Sequence, residues 1–335
     1  MARINLIGWD NGVGLSTDLR LLEEHLRQHR HRVSLSTIRR GKLRKIFRPI
    51  ALRARIAAQR AMGAEVRQFD VNIFLEHVRP EFLPLARANV LIPNPEWFDN
   101  LDDDLIAMVQ GVLAKTRHAE AIFRRRLTAT QFIGFTSRDR RDGEVDRRRA
   151  FFHLAGRSEN KNTEPLLALW RRHPEWPTLT VVQNPRTAKP APPVANIDHR
   201  VDYLDDAELR RLQNEHTFHI CPSQTEGFGH YLVEALGIGA VTITLDAPPM
   251  NELVAPDHGL LVAAKPIGTQ NLSTIYTFDD ADMERVIAEC MAMPDARVAE
   301  LSQAARAFYE RNDRRFGEKL GEALRIVENG AAIPA

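Results

Sequence analysis

Cysteine, aromatic residues and long apolar runs are all scarce in this 335-residue chain. Two cysteines, Cys221 and Cys290, leave no disulfide framework to hold the fold. They read as small core residues, and a reducing cytoplasm is the expected compartment. The apolar run within residues 1–8 is too short for the hydrophobic part of a signal peptide. The most apolar later stretch, 235–245, is about half the roughly 20 residues of a membrane span, and Thr242 and Thr244 interrupt it. Zinc-type spacing, a Walker loop, a G-x-S-x-G elbow and any fixed-period repeat are also missing.

What remains is the composition of an ordinary globular protein, 44% apolar and 27% charged, long enough for two domains. The net charge of +2 conceals a split. Residues 1–150 carry 28 Lys and Arg against 18 Asp and Glu, whereas 151–335 carry 18 against 26. Such asymmetry concerns partners, so the N-terminal half is expected to face something anionic. Its densest run, Arg39-Arg40-Gly41-Lys42-Leu43-Arg44-Lys45-Ile46-Phe47-Arg48, continues through Arg53, Arg55 and Arg60. A solvated helix, an anionic membrane surface and a polyanionic acceptor such as a polysaccharide or nucleic acid all fit it. With Phe47 as the only aromatic in the run, base stacking has little support.

Short apolar strands alternate with amphipathic helices along the first half. Strands are predicted at 3–8, 32–37, 71–75, 89–92, 112–114 and 131–135, with helices at 17–28, 105–110 and 118–127. Residues 138–149 are almost devoid of apolar side chains and read as a solvated linker. The alternation restarts with strands at 151–154, 179–182, 218–221, 240–244 and 259–262. Helices are expected at 164–170, 206–215, 230–236, 280–291, 296–310 and 314–328. This implies two doubly wound α/β domains with parallel sheets, at 1–137 and 150–312, and a final segment, 313–335.

The chemistry concentrates after the strand ending at Cys221. There Glu226-Gly227-Phe228-Gly229 forms a loop before a helix starting near His230. Gly227 and Gly229 allow close backbone approach at a helix N-terminus, a ready anion site. Glu226 stands at a strand's carboxyl end, where open α/β sheets bind ligands, and Glu234 lies about one turn into the helix, placed to accept from ribose hydroxyls. Upstream, Gly156-Arg157-Ser158-Glu159-Asn160-Lys161 also follows a strand. Its guanidinium fork and ammonium suit a departing pyrophosphate. Gly12-Val13-Gly14, after the first strand, fits a dinucleotide fingerprint only partly.

In order and spacing these segments resemble the retaining glycosyltransferases of the GT-B fold, family-4 (group 1) type. The resemblance spans nearly the whole chain. It rests on the N-terminal glycine loop, Arg157 with Lys161, the Pro222-Ser223…Glu226-Gly227-Phe228-Gly229 loop, the Glu226–Glu234 pair, Gly239 and Asn251-Glu252-Leu253-Val254. It implies two Rossmann-like domains facing a cleft, a last helix crossing back to the first domain, and a metal-independent hexosyltransferase that needs no cofactor. A UDP-, GDP- or ADP-sugar would be the donor. Arg157 and Lys161 would hold the diphosphate, and Glu226 with Gly227, Phe228 and Gly229 the sugar and phosphate. Glu234 would hold the ribose, Gly12 and Gly14 would cap the phosphates, and Tyr203 lies in a loop near the base. The sequence departs at Ile92-Pro93-Asn94-Pro95-Glu96-Trp97, where many members carry a histidine. Asn94 or Glu96 takes that place, the catalytic contact being assigned to Asn94, with His77 a further candidate.

Other patterns read more simply. Asp102-Asp103-Asp104 resembles the Asp-x-Asp metal motif of the other major glycosyltransferase fold, but it sits before an apolar helical run, where acidic side chains complement the dipole, and that reading is preferred. His25 and His29 share a helix face without a third metal ligand in view, and His153, His219 and His230 receive no role. Three functions compete: a transferase with an unidentified acceptor, a transferase acting on modified DNA, and a non-catalytic nucleotide-sugar-binding module. Without a membrane span the protein is expected in the cytoplasm, with peripheral attachment to the inner membrane face left open.

Overall fold

The computed structural model describes residues 1–12, 14–38 and 42–328. Val13 of the first glycine loop, Arg39, Arg40 and Gly41 of the basic run, its side chains at 42–48, and 329–335 of the final segment lie outside the described residues. The chain divides into two compact units, Met1–Phe135 with Arg314–Ala335, and Thr136–Asp313.

Unit 1 runs β1 (Arg3–Trp9), α1 (Gly14–Gln28), β2 (Arg32–Ile38), α2 (Lys42–Ala61), β3 (Phe69–Leu75), β4 (Ala86–Ile92), α3 (Asn100–Leu105), β5 (Gly111–Ala114), α4 (Arg117–Arg124) and β6 (Thr130–Phe132). Its six strands lie in the order β2-β1-β3-β4-β5-β6, all parallel. The helical period sets how α1 docks: Leu15, Leu19, Leu22 and Leu26 are buried on one face. Burying each leucine contributes roughly 1.5–3 kcal/mol. Thr116 caps α4 by accepting from the Ala119 N–H at 3.0 Å.

Unit 2 runs β7 (Arg148–Gly156), α5 (Thr163–Arg172), β8 (Leu179–Gln183), β9 (Ile197–Val201), α6 (Asp206–Glu215), β10 (His216–Cys221), α7 (His230–Gly237), β11 (Val241–Leu245), α8 (Met250–Leu253), β12 (Leu260–Val262), β13 (Ala264–Gln270), β14 (Ser273–Phe278), α9 (Asp280–Ala292) and α10 (Asp295–Glu328). Its parallel sheet has the order β12-β11-β10-β7-β8-β9. Strand order therefore reverses between β7 and β10, and in such sheets ligands bind outside the carboxyl ends at the reversal.

Several expectations change. The helix expected at 105–110 is α3, ending at Leu105 and followed by a single 3-10 turn. Asp99 and Asp102 close a capping box that fixes its earlier start. β9 and the β13–β14 hairpin carry no apolar run strong enough to be read from the sequence, because most of their side chains are partly or fully exposed. The helices expected at 296–310 and 314–328 are one, α10, whose stretch from Arg314 belongs to unit 1. There Phe316 lies 4.8 Å from Phe135 and 5.0 Å from the His25 ring. Residues 138–149 are no free linker, since they sit inside unit 2. Arg140 is buried, donating to Gln213 and, at 2.8 Å, to Asp206, while Asn214 donates to the Arg140 carbonyl at 2.8 Å. One arginine in that charged run is thus a structural clamp. Both cysteines are buried, and burial pushes both thiols up.

Candidate active site

Of the residues expected to carry the chemistry of unit 2, Lys161 and Glu226 meet at its strand reversal, whereas Tyr203 stands apart beyond the edge strand β9. At the end of β7, Gly156 is left-handed (φ 57°), and Arg157 emerges exposed, without an ion pair or hydrogen bond among the described residues. Beyond β10 comes the loop with Ser223 and Glu226. Lys161 Nζ pairs with Glu226 Oε1, lies 3.3 Å from Ser223 Oγ and sits 3.6 Å from the centroid of the Tyr231 ring. Ser223 in turn donates to Glu226 and shares a hydrogen bond with the Tyr231 hydroxyl. Lys161 and Glu226 keep only 13% and 15% of their side chains exposed. Two opposite charges are therefore held in a shielded place, where Coulombic terms gain strength.

The surrounding backbone fixes this pair. Asn162, left-handed at φ 48°, donates to the carbonyls of Pro222 at 2.8 Å and Tyr276 at 3.1 Å. The Tyr276 N–H donates to the Gln224 carbonyl at 2.9 Å, and Asn160 Nδ2 to Gln270 Oε1 at 2.8 Å. The β13–β14 hairpin thus braces both loops. Gly229 has φ 103°, and a Cβ there would come within 2.8 Å of Leu232 and 3.3 Å of Leu253, so the residue before α7 must be glycine. Phe228 is buried, edge-on to the His230 ring at 5.4 Å. Glu234 accepts from Gln213 Nε2 at 3.0 Å, with the Arg140 guanidinium 4.0 Å away. Tyr203, 81% exposed, stands on the loop beyond β9. His153 and His219 are core residues bonded to the carbonyls of Ile220 and Gln213, and burial pushes them down to about 4 and about 3.

Unit 1 has its own cluster at the carboxyl ends of β3 and β4. The Glu76 N–H donates to the Ile92 carbonyl at 2.9 Å, which sets residues 76–77 beside residue 94. Glu76 is left-handed (φ 71°), a strained conformation for a side-chain-bearing residue, and burial raises its carboxyl pKa. Asn94 donates to Glu76 Oε1 at 3.3 Å, while its own Oδ1 is buried without a partner. His77 Nδ1 lies 2.9 Å from the buried Asp102 carboxylate, whose hydrogen bond raises the imidazole above its usual value. Asp102 also accepts from the Asp99 N–H, and Asp103 pairs with Arg126 at 2.7 Å. At the end of β1, the Gly12 N–H (φ 73°) is spent on Ser16 Oγ at 2.7 Å, and Gly14 opens α1. The capping expected of Gly12 therefore meets an amide already occupied. His25 and His29 bond the carbonyls one helical turn before them.

Sequence reasoning left Ser223, Tyr231, Asn162, Arg140, Gln213 and Glu76 without roles. Ser223 was in view within the motif. Tyr231 meets Ser223 within the same stretch, eight positions away, whereas Asn162, Arg140, Gln213 and Glu76 meet partners farther off in sequence.

Two Rossmann-like units, each with a parallel six-stranded sheet, constitute the GT-B glycosyltransferase fold. Sucrose-phosphate synthase from Thermosynechococcus elongatus superposes with a TM-score of 0.70 at 15% identity, covering 99% of this chain and 100% of that one. HepE from Anabaena, in complex with UDP and glucose, gives 0.66 at 14% identity, covering 97% and 100%. A glycosyltransferase from Rickettsia africae gives 0.69 at 12% identity, covering 97% and 98%. No curated protein matches by sequence. Residues 199–287 match the family model described as glycosyl transferases group 1. That segment contains Tyr203, Glu226, the glycine loop and Glu234; Arg157 and Lys161 lie before it. The fold is thus that of the GT-B glycosyltransferases, and the segment 199–287 is similar to glycosyl transferases group 1.

Proposed function

We propose that the protein transfers a sugar, with retention of anomeric configuration and without a metal ion, from a nucleoside-diphosphate sugar bound by unit 2. The observation that carries this is the Lys161–Glu226–Ser223 cluster, with Arg157 beside it, at the β7/β10 reversal. Arg157, unpaired among the described residues, and Lys161 neutralise the diphosphate as the bond from anomeric carbon to phosphate oxygen breaks. The acceptor hydroxyl attacks from the same face, and its proton passes to the departing phosphate. Glu226 and the 227–229 backbone position the sugar, Glu234 the ribose, and Tyr203 offers a ring to the base. HepE has been solved with UDP-glucose, which makes UDP-sugars the first donors to try.

Unit 1 supplies the acceptor contacts. Glu76, His77 and the partnerless Asn94 Oδ1 present acceptor atoms suited to hydroxyl groups. Its basic helix α2 faces an anionic partner, and a cytoplasmic protein attached to a membrane surface accords with that. Among the described residues no helix is long and apolar enough to cross a membrane. Against an Asp-x-Asp metal site at Asp102 and Asp104, the Asp102 carboxylate is already bonded to His77 and to the Asp99 N–H. Donor hydrolysis and transfer measured in EDTA test the reading: activity should persist, and loss restored by Mn²⁺ would overturn metal independence.

A further inference from the structure

The amino ends of the unit 1 strands carry a feature that the transfer reaction does not use. An open cavity of about 500 Å³ is lined by Arg60, Arg67 and Arg87, with Glu65 also on its wall and Asn89 beneath. Three well-fixed points deliver the arginines. Arg60 lies in the last turn of α2, which Gly63 (φ 67°) ends as its N–H donates to the Arg60 carbonyl and that of Ala64 to Gln59. Arg67 precedes β3 and Arg87 is the second residue of β4, at the paired starts where Phe69 registers with Ala86 and the Gln68 N–H donates to the Leu85 carbonyl at 2.8 Å.

None of the three makes an ion pair or hydrogen bond among the described residues. Asp70, which feels the Arg87 charge, is already engaged by Arg3, whose N–H donates to it at 2.7 Å. Asn89 is spent on Asn72 and the Leu83 carbonyl. Three guanidiniums around one cavity with a single carboxylate on its wall lack counter-charge, and phosphate oxygens accept from such forks in pairs. The adjoining helix indicates the source of the phosphate. Residues 42–61 contain seven Lys and Arg and no Asp or Glu. Ile50 and Met62, at the middle and just past the end of α2, are 57% and 74% exposed. Exposed apolar side chains among cations suit a lipid interface better than a nucleic-acid backbone.

We propose that Arg60, Arg67 and Arg87 form a headgroup-phosphate site through which unit 1 docks on an anionic lipid surface. The proposal rests on the reading that the basic half faces an anionic partner, and is independent of the donor assignment. Strands of this length put the cavity roughly 20 Å from Glu76 and Asn94, so docking leaves the carboxyl edge of the sheet open.

The test is flotation of the full chain with phosphatidylcholine vesicles, with and without phosphatidylglycerol. The wild type should float only with the anionic vesicles. The R60Q/R67Q/R87Q variant should partition roughly 100-fold less, from about 1 kcal/mol per basic side chain. The R60K/R67K/R87K variant, which keeps the charge but loses the forks, should recover only part of the binding. Thermal melting checks that each variant folds, and nucleotide-sugar binding should be unchanged in both. Equal flotation of wild type and the glutamine variant would overturn the site, and full recovery with lysine would reduce it to diffuse charge. Binding of duplex DNA or inorganic phosphate without vesicle binding would overturn the lipid surface. Failure of every nucleotide sugar to bind, with flotation as described, would sink the transferase reading alone.

Discussion

The two sheets end in opposite kinds of chemistry. At the carboxyl edge of unit 2, Lys161, Glu226, Ser223 and Tyr231 satisfy one another, and Asn162 and the β13–β14 hairpin hold their loops in place. At the corresponding edge of unit 1, Asn94 keeps a buried oxygen without a partner, burial drives the Glu76 carboxyl up, and Asp102 holds up the His77 imidazole. A self-satisfied charged cluster is organised before its ligand arrives and loses little to reorganisation in the transition state. A cluster with polar atoms left over gains most when a ligand completes it. The comparison accords with the proposed division, in which unit 2 takes the charged, leaving end of the reaction and unit 1 a hydroxylated acceptor.

The largest effects should come from breaking the organised side. Arg157→Ala and Lys161→Ala should each lower turnover by a factor on the order of 10² to 10³, the usual loss for one transition-state anion donor. Lys161→Ala should also weaken the fold, because Glu226 is left shielded and unpaired; steady-state kinetics alongside circular dichroism separate the two effects. Glu234→Ala removes a contact equally strong before and during transfer. It should weaken donor binding by roughly 1–3 kcal/mol with turnover little changed, as read by calorimetric titration.

Acid should then separate the units. His153 and His219 are held neutral in the folded state, at about 4 and about 3, while the unfolded chain takes up protons near 6.5. Stability is therefore lost as pH falls below about 6.5. Between there and pH 5 each histidine contributes about 2 kcal/mol to that loss, visible in urea midpoints. His77 has the opposite sign. Its raised folded value gives stability that is full below about 6.5 and lost as pH rises through that folded value. An imidazole NMR titration should place His77 above the ordinary histidine value and show it falling in Asp102→Asn. The smallest effect should be that of His77→Gln, about tenfold in transfer at low acceptor concentration with donor affinity unchanged, about the worth of one hydrogen bond.

The same contrast explains what was legible in the sequence. Alternating apolar runs disclose both sheets, because buried parallel strands such as β5 and the Val90–Ile92 end of β4 leave short unbroken apolar signatures. Unit 2's site was readable because its parts are local: Gly156 to Lys161 forms one turn, and Ser223 to Gly229 forms another. What holds them together was not, since Asn162 reaches Tyr276 across 114 positions and Arg140 reaches Gln213 across 73. Unit 1's cluster has no contiguous motif at all. Asp102 meets His77 from 25 residues away, and Glu76 gives no sign in the sequence of its left-handed backbone. The acidic run 102–104 reads as leading into a helix at 105–110, but the helix is Asn100–Leu105, with Asp102 and Asp103 in its first turn, and Asp102 also orients a histidine.

The most direct test of donor binding by unit 2 is a thermal-shift titration with UDP-, GDP- and ADP-sugars on the wild type, Arg157→Ala and Lys161→Ala. One sugar nucleotide should stabilise the wild type saturably, by roughly 2.7 kcal/mol at 100 times its dissociation constant. Both variants should need markedly more of it to reach the same shift. Stabilisation undiminished in both variants, or absent from the wild type with all three donors, would contradict the placement of the diphosphate beside Arg157 and Lys161.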